Sequence, residues 1–409
     1  MLLFRSLVRV FLFATVALAF TVQKPKVDRG SINLSIGDIT IQSGSFWSIF
    51  DNTVSIFKGD LWVQKNAGFF ITSTNKLIGL KVELASGFGS IRNDGLIVFN
   101  SLVSITPSFY KLIGKSFLNS GEIFLVSSGY GVPTAALLAP IWKNTGSLTF
   151  FQNKRNNGVV SLGAPGLKIE NWGQICLFNE LYKQTTHIFG DGCITADQDS
   201  SIFFSNCLLD IDSRQTVYLA DSRSSVRAVA LAKPKTFKVA GFGNGNKIGL
   251  DLPLISPFLK SVIYNAKTGI LSLRVKGFWG QDFNIGLGYN SNKFKITTDN
   301  SLGLLSVPWG AVYYDGPVPN KQIPSNCQPC KPYPSPPTTT TTKTNAQTTK
   351  TSTWTGTFTT TVTETDTPGG TDTVIVEVPS TPNSQTTLTS TWTGTFTTTV
   401  TETDTPGGT

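Results

Sequence analysis

The sequence has little of what most enzymes and membrane proteins require. It contains one histidine, His187, and five cysteines. Beyond the N-terminal segment, no apolar run approaches the roughly 18 residues of a membrane-spanning helix. No stretch carries the 3.6-residue apolar period of an amphipathic helix, because Gly and Asn interrupt every candidate. No basic run is interleaved with aromatics, which sets nucleic acid aside as a partner. Cys327-x-x-Cys330 has no second Cys-x-x-Cys beside it, and a single His leaves a zinc site short of ligands. The Gly-rich run 241–246 lacks the Lys-Ser/Thr and the helix of a phosphate loop, so it reads as a β-turn. Nothing asks for a cofactor.

At the N-terminus, Arg5 and Arg9 precede an apolar run over 10–20 that closes on Ala17-Leu18-Ala19. This is the pattern of a cleaved secretory signal, and residues 1–19 are set aside from the fold. In the oxidising compartment it implies, Cys176, Cys193, Cys207, Cys327 and Cys330 should pair, leaving one free or bonded to another chain. Their connectivity stays open, with the Cys327/Cys330 pair expected to pin the end of the head. Asn33-Leu34-Ser35 is the single N-glycosylation sequon, with Asn33 as acceptor.

Composition changes near Cys330. Of the 72 residues from Thr338 onward, 34 are Thr. Prolines stiffen the start of this segment and its composition cannot bury a core, so it reads as an O-glycosylated stalk over 327–409. Residues 351–371 and 389–409 are identical blocks of 21 residues. The aliphatic patch 374–378 between them is either linker or a strand able to pair between chains. The last residue closes the second block without an apolar tail for a lipid anchor, the expectation for a truncated or a released chain. Net charge is uneven, about +11 over residues 20–337 and −4 from Thr338 onward. The head charge reads as a diffuse solubilising field rather than a specific anion site.

The head repeats Asn-x-Gly followed by a short apolar strand. The triplets start at Asn66, Asn93, Asn119, Asn144 and Asn171, spaced 27, 26, 25 and 27 residues apart. Such a period belongs to stacked repeats, and one coil of a right-handed parallel β-helix fits it. Asn and Gly tolerate the positive φ of a sharp corner. The β-helix is expected over 20–220. Beyond it, short strands near 237–239, 248–250, 261–264, 270–275 and 294–296 predict a small antiparallel sandwich over 221–326. The fold class is therefore all-β: solenoid, sandwich, then a disordered Thr-rich stalk.

Parallel β-helices also host polysaccharide-degrading enzymes, which need paired carboxylates across the scissile bond. Asp197 with Asp199, and Asp210 with Asp212, share strand faces, but no acids cluster across adjacent coils. An isolated pair also lacks the oxygens calcium needs. His187 reads as a partly buried structural residue, and no catalytic or metal residue is assigned. At the triplets' middle position four of five residues are small or polar, which predicts a solvent-facing site. Trp172 there is a candidate ligand platform for a sugar, or folds back on a neighbouring loop.

These pieces resemble a known family. The Asn-x-Gly coils, Gly190-Asp191-Gly192-Cys193-Ile194, Gln215-Thr216-Val217-Tyr218-Leu219 and the run 241–246 are similar to the N-terminal domain of yeast hyphally regulated cell wall proteins, over most of 25–330. Trp354-Thr355-Gly356-Thr357-Phe358-Thr359, repeated at Trp392, resembles a flocculin repeat. The resemblance implies a β-helix, a small β-sandwich, a Ser/Thr-rich stalk and a GPI-linked anchor to wall glucan. It implies an adhesin-like wall protein meeting host-cell or abiotic surfaces, glycans included. A structural wall glycoprotein without a ligand, or a polysaccharide-acting enzyme, are the alternatives.

Overall fold

The computed structural model describes residues 19–31, 37–206, 208–256 and 259–338, and the backbone of 348–354, 360–364 and 373–379. Asn33, Cys207 and residues 1–18 of the expected signal lie outside the described residues. The chain divides into two compact units, residues 1–339 and 340–409.

In the first unit, short strands rich in β-branched and aromatic residues pass in turn through three sheets of 8, 13 and 11 strands. Nearly every strand pairs in parallel with its counterpart one coil on, which makes a parallel β-solenoid of about nine turns. The ladder begins at Phe20, the residue after the expected cleavage site, where Phe20–Val22 pairs with Ile39–Ile41. Strands Gly68–Thr72, Leu96–Ser101, Glu122–Ser127, Ser147–Gln152 and Gln174–Phe178 each follow a repeat triplet. They lie side by side in the 13-stranded sheet. Their register stacks Ile97, Ile123, Leu148, Ile175 and Ile194 into one buried row. The rings of Trp47, Phe69 and Phe99 follow one another at 5.6 and 5.8 Å. Stacking thus turns a repeated apolar position into a continuous core.

The corners work differently from the sequence expectation. Asn93, Asn119, Asn144 and Asn171 are buried, with ordinary φ. The amides of Asn93, Asn119 and Asn144 each donate to the next Oδ1, at 2.8, 2.7 and 2.9 Å along the stack, while the Asn171 amide at its end has no partner. Within the stack the ladder satisfies polar groups that burial would otherwise penalise. The glycines also avoid positive φ and are needed for close approach instead. A Cβ at Gly121, Gly146 or Gly173 would sit 2.0, 2.0 or 2.1 Å from the carbonyl oxygen of the glycine one coil below. Only the first triplet uses the left-handed conformation, with Asn66 at φ 60°. It stands outside the ladder, because Val63 pairs with Asn93 and two extra residues widen that corner. Ala67 is correspondingly buried, against the expectation for a middle position.

The solenoid continues past residue 220. Thr216–Leu219 pairs in parallel with Thr236–Ala240, and Ser225–Ala228 with Lys247–Leu250. All five strands expected in this region form. The antiparallel strands Val262–Asn265, Ile270–Val275 and Trp279–Asn284 extend the 13-stranded sheet, and Phe294–Asp299 with Val307–Tyr314 extends the 11-stranded one. The repeat fades from the sequence because the coils shorten. Ser147 and its partner Gln174 are 27 residues apart, Gln174 and Cys193 only 19.

Residues 326–337 form a strap back across the outer face of the 13-stranded sheet. Disulfides Cys193–Cys327 and Cys176–Cys330 fix its start, with Cα atoms 5.0 and 5.9 Å apart. The Cys-x-x-Cys pair therefore grips two adjacent coils. Lys331 then pairs with Glu122, Tyr333 packs 5.4 Å from Phe151, and Pro337 accepts a hydrogen bond from Ser48. An outer apolar cluster of Phe70, Val98, Phe124 and Val126 lies on this face, with Tyr333 packed against it. Both bridges close loops of more than 130 residues. Converting either cysteine pair to serine should cost about 2–5 kcal/mol, read by denaturant unfolding. An unchanged midpoint would mean that the other contacts hold the strap alone.

In the second unit, the backbone of Thr373–Pro379 pairs in parallel with Thr348–Trp354 and antiparallel with Thr360–Glu364. Where a structureless stalk was expected, the β-branched Thr and Val of these segments take extended pairing within one chain.

Candidate functional site

Glycine at successive corners leaves a row with no side chains, and the polar residue before each glycine rises beside it. The result is a trough of about 970 Å³ running over Gly95, Gly121, Gly146 and Gly173, bounded by the strap at Gln328 and Lys331. Ser120 and Thr145 are exposed along it, as the middle-position rule predicts. Trp172 lines one end and is 43% exposed. Its ring also packs: the Arg214 guanidinium lies 5.7 Å from the ring centroid, and a Cβ at Gly190 would come within 3.2 Å of it. Trp172 is thus an indole braced by its neighbours that keeps an open edge.

A second cleft of about 640 Å³ adjoins the trough, sharing Lys65, Asn66, Asp94 and Ser120, and adds Trp62 and Arg92. Trp62 Nε1 donates to Asp94 Oδ2 at 3.0 Å, Arg92 Nε donates to the same oxygen at 2.7 Å, and Ser120 donates to Oδ1 at 2.7 Å. The Arg92 guanidinium stands 4.9 Å over the indole. Partial desolvation pushes the Asp94 carboxyl up, but hydrogen bonds from Ser120, Trp62 and Arg92 outweigh it and hold the group below its ordinary value. Reading triplets alone misses Trp62. The available signal was Leu61-Trp62-Val63, in which period-2 alternation puts an aromatic on the outer face.

The acids considered for catalysis are engaged elsewhere. Asp210 pairs with Lys235 at 2.9 Å and Asp212 with Arg214 at 2.7 Å, and Arg214 holds the Asp212 carboxyl down to about 2. His187 Nδ1 accepts the Asp210 backbone N–H at 2.9 Å. Asp197 and Asp199 do meet a third acid across coils, Asp221, which the sequence did not show. Asp221 caps a turn, accepting backbone N–H groups of Asp199, Arg223 and Ser224. Desolvation first, then the Asp221 charge, raise the Asp197 carboxyl. These acids line neither cleft. Among the described residues no group of three or more His, Cys, Asp or Glu is arranged to hold a metal ion.

Comparison with known proteins matches the two units of the chain to different families. Residues 10–337 match the family described as hyphally regulated cell wall protein N-terminal, and residues 348–379 and 386–409 match Candida agglutinin-like. The chain is 48% identical over 338 residues to cell wall protein RBR3 of Candida albicans, covering 82% of this chain and 22% of that protein. It is 44% identical over 333 residues to hyphally regulated cell wall protein 3 of the same yeast, covering 81% and 27%. Cell wall protein IFF9 is 45% identical over 330 residues, covering 80% and 35%. The chain therefore spans about a fifth to a third of the length of these relatives. With a β-solenoid head matched over most of its length, the chain belongs to the hyphally regulated cell wall protein family, extracellular proteins of the Candida cell wall.

Proposed function

We propose that the head is the adhesive, non-catalytic module of a wall protein, meeting host-cell or abiotic surfaces, with glycans among its ligands. The observation that carries this reading is the open trough with Trp172 at its rim, a concave aromatic-edged surface on a secreted head. The agglutinin-like match over the Thr-rich segment supports it. That segment would act as an O-glycosylated spacer, and a lipid-linked anchor to wall glucan would hold the protein.

The test is display of the protein on a non-adherent yeast, with attachment counted on epithelial cells, polystyrene and a glycan array. Attachment to at least one is expected, and Trp172→Ala should reduce it on glycans while leaving expression and melting unchanged. A folded, displayed protein that attaches to none of the three sinks the adhesive reading.

A further inference from the structure

The trough and its neighbouring cleft form one continuous groove with a tryptophan at each end. Trp62 pairs in register with Arg92, then Leu118, Lys143 and Glu170, and Trp172 follows two residues after Glu170. Four strand spacings separate the two indoles' coils, about 19 Å. That length holds several sugar rings end to end. Both indoles are partly open, at 37% and 43% exposure, and each is braced by an arginine on its ring. An aromatic fixed before binding loses little entropy when a ring stacks on it.

Between the indoles the floor is glycine backbone and the rim is polar. The exposed residues Ser120, Thr145 and Asp191 stand along it. The two hydroxyls donate to Asp94 and to the Asn119 carbonyl and so keep acceptor lone pairs for a ligand. Charge in the groove is largely balanced: Arg92 pairs with Asp94 and Lys331 with Glu122, and the other charged lining residues, Lys65 and Asp191, are one of each sign. Such a groove offers no uncompensated cationic cluster to an anionic chain, despite the basic head. It offers apolar stacking at two points and hydrogen-bonding groups between them, as a chain of neutral pyranose rings needs.

We infer that this groove binds a linear, neutral polysaccharide along the solenoid axis, with one sugar stacked at Trp62 and another, several units away, at Trp172. Asp94 acts as a positioning residue, orienting Trp62 and Arg92. The inference rests on the adhesive reading for its biological setting but is read out separately from it. The ligand's source, the yeast's own wall or a foreign surface, is left to the choice of probe.

The test uses the full secreted chain and isothermal titration with laminarihexaose, cellohexaose, mannohexaose and chitohexaose, their disaccharides, and a heparin hexasaccharide. At least one neutral hexasaccharide should bind, and its disaccharide should bind at least tenfold more weakly. Laminarihexaose as the best probe would point to wall glucan, and mannohexaose or chitohexaose to other polymers. Trp62→Ala and Trp172→Ala should each weaken the hexasaccharide about five- to tenfold without shifting the melting temperature. Thr145→Trp, which fills the middle of the groove, should abolish hexasaccharide binding and spare the disaccharide. The inference is overturned if no neutral hexasaccharide binds, if heparin binds best, if the disaccharide matches the hexasaccharide, or if folded Trp62→Ala and Trp172→Ala bind as the parent does. Cells that attach to glycans while no soluble hexasaccharide binds would remove the groove and leave the adhesive reading standing. Hexasaccharide binding without attachment would do the reverse.

Discussion

Replacing Gly146 by Ala should destabilise the head by at least about 3 kcal/mol, whereas Gly166→Ala should cost about 1–2 kcal/mol. The two glycines separate two reasons for needing one. Gly166 has φ +78° with nothing within 4 Å of an added Cβ, so its cost is backbone conformation alone. Gly146 has no positive φ, but its added Cβ would lie 2.0 Å from Gly121 O, 2.7 Å from Ser120 C and 2.9 Å from Gly121 N. All three are backbone atoms held by neighbouring coils, and no flexible side chain can move aside. Relief requires the coils to part, which stretches the Ser147 N–H to Gly121 O bond of 2.9 Å and the Asn119 to Asn144 bond of 2.7 Å. Thermal unfolding of the two variants decides it. A Gly146→Ala protein as stable as Gly166→Ala would mean the corner glycines serve conformation, as the sequence alone suggested.

That contrast shows what was legible. The period of Asn93, Asn119, Asn144 and Asn171 gave the solenoid, because stacked coils repeat their chemistry at nearly constant spacing. The same letters did not say how the corner works. Asn and Gly occur both where φ is positive and where a side-chain ladder or a backbone contact is required, and only register separates these cases. Asn66 is the instructive member: it keeps the spacing yet lies outside the ladder, since two extra residues widen its corner. Past Cys193 the coils shorten and the period vanishes although parallel pairing goes on. The strap was invisible for another reason. Leu96-Ile97-Val98-Phe99 does not alternate, which signals a strand buried on both faces, but nothing local to it names residues more than 200 positions later as the cover. The groove was half legible: Trp172 stood out within its triplet, while Trp62 joins it only through pairing across coils.

The head should be more stable near pH 5 than near pH 8 by about 3 kcal/mol. Glu180→Gln should remove most of that slope, the raised Asp197 and Asp199 carboxyls contributing in the same sense. Glu180 is buried within the solenoid, and burial first of all lifts its carboxyl from 4.5 to about 8, against the opposing effects of a Gln152 hydrogen bond and the Arg155 charge. The folded state then holds a proton between those two values that the unfolded chain releases. Stability is therefore fully present below the unfolded value and is lost as pH rises through the window to about 8. At about 1.4 kcal/mol per unit, the span yields the expected size. The surrounding charges do not cancel it. Arg155, itself buried, donates Nη2 to the Leu302 carbonyl at 2.6 Å and leaves Nε and Nη1 without partners. Its charge lowers the Glu180 carboxyl without outweighing burial, and Asp299 is paired with Arg227 at 2.6 Å. Asp212, held near 2 by Arg214, titrates below the window. Gln reproduces the shape and the hydrogen bonding of the protonated acid, so Glu180→Gln should match the parent near pH 5 and exceed it near pH 8. Denaturant unfolding of both proteins at the two pH values tests this. A flat profile for the parent, or an equal slope in the variant, would show that Glu180 stays ionised beside Arg155 and that the Arg155 to Leu302 contact shares its cation with a buried carboxylate.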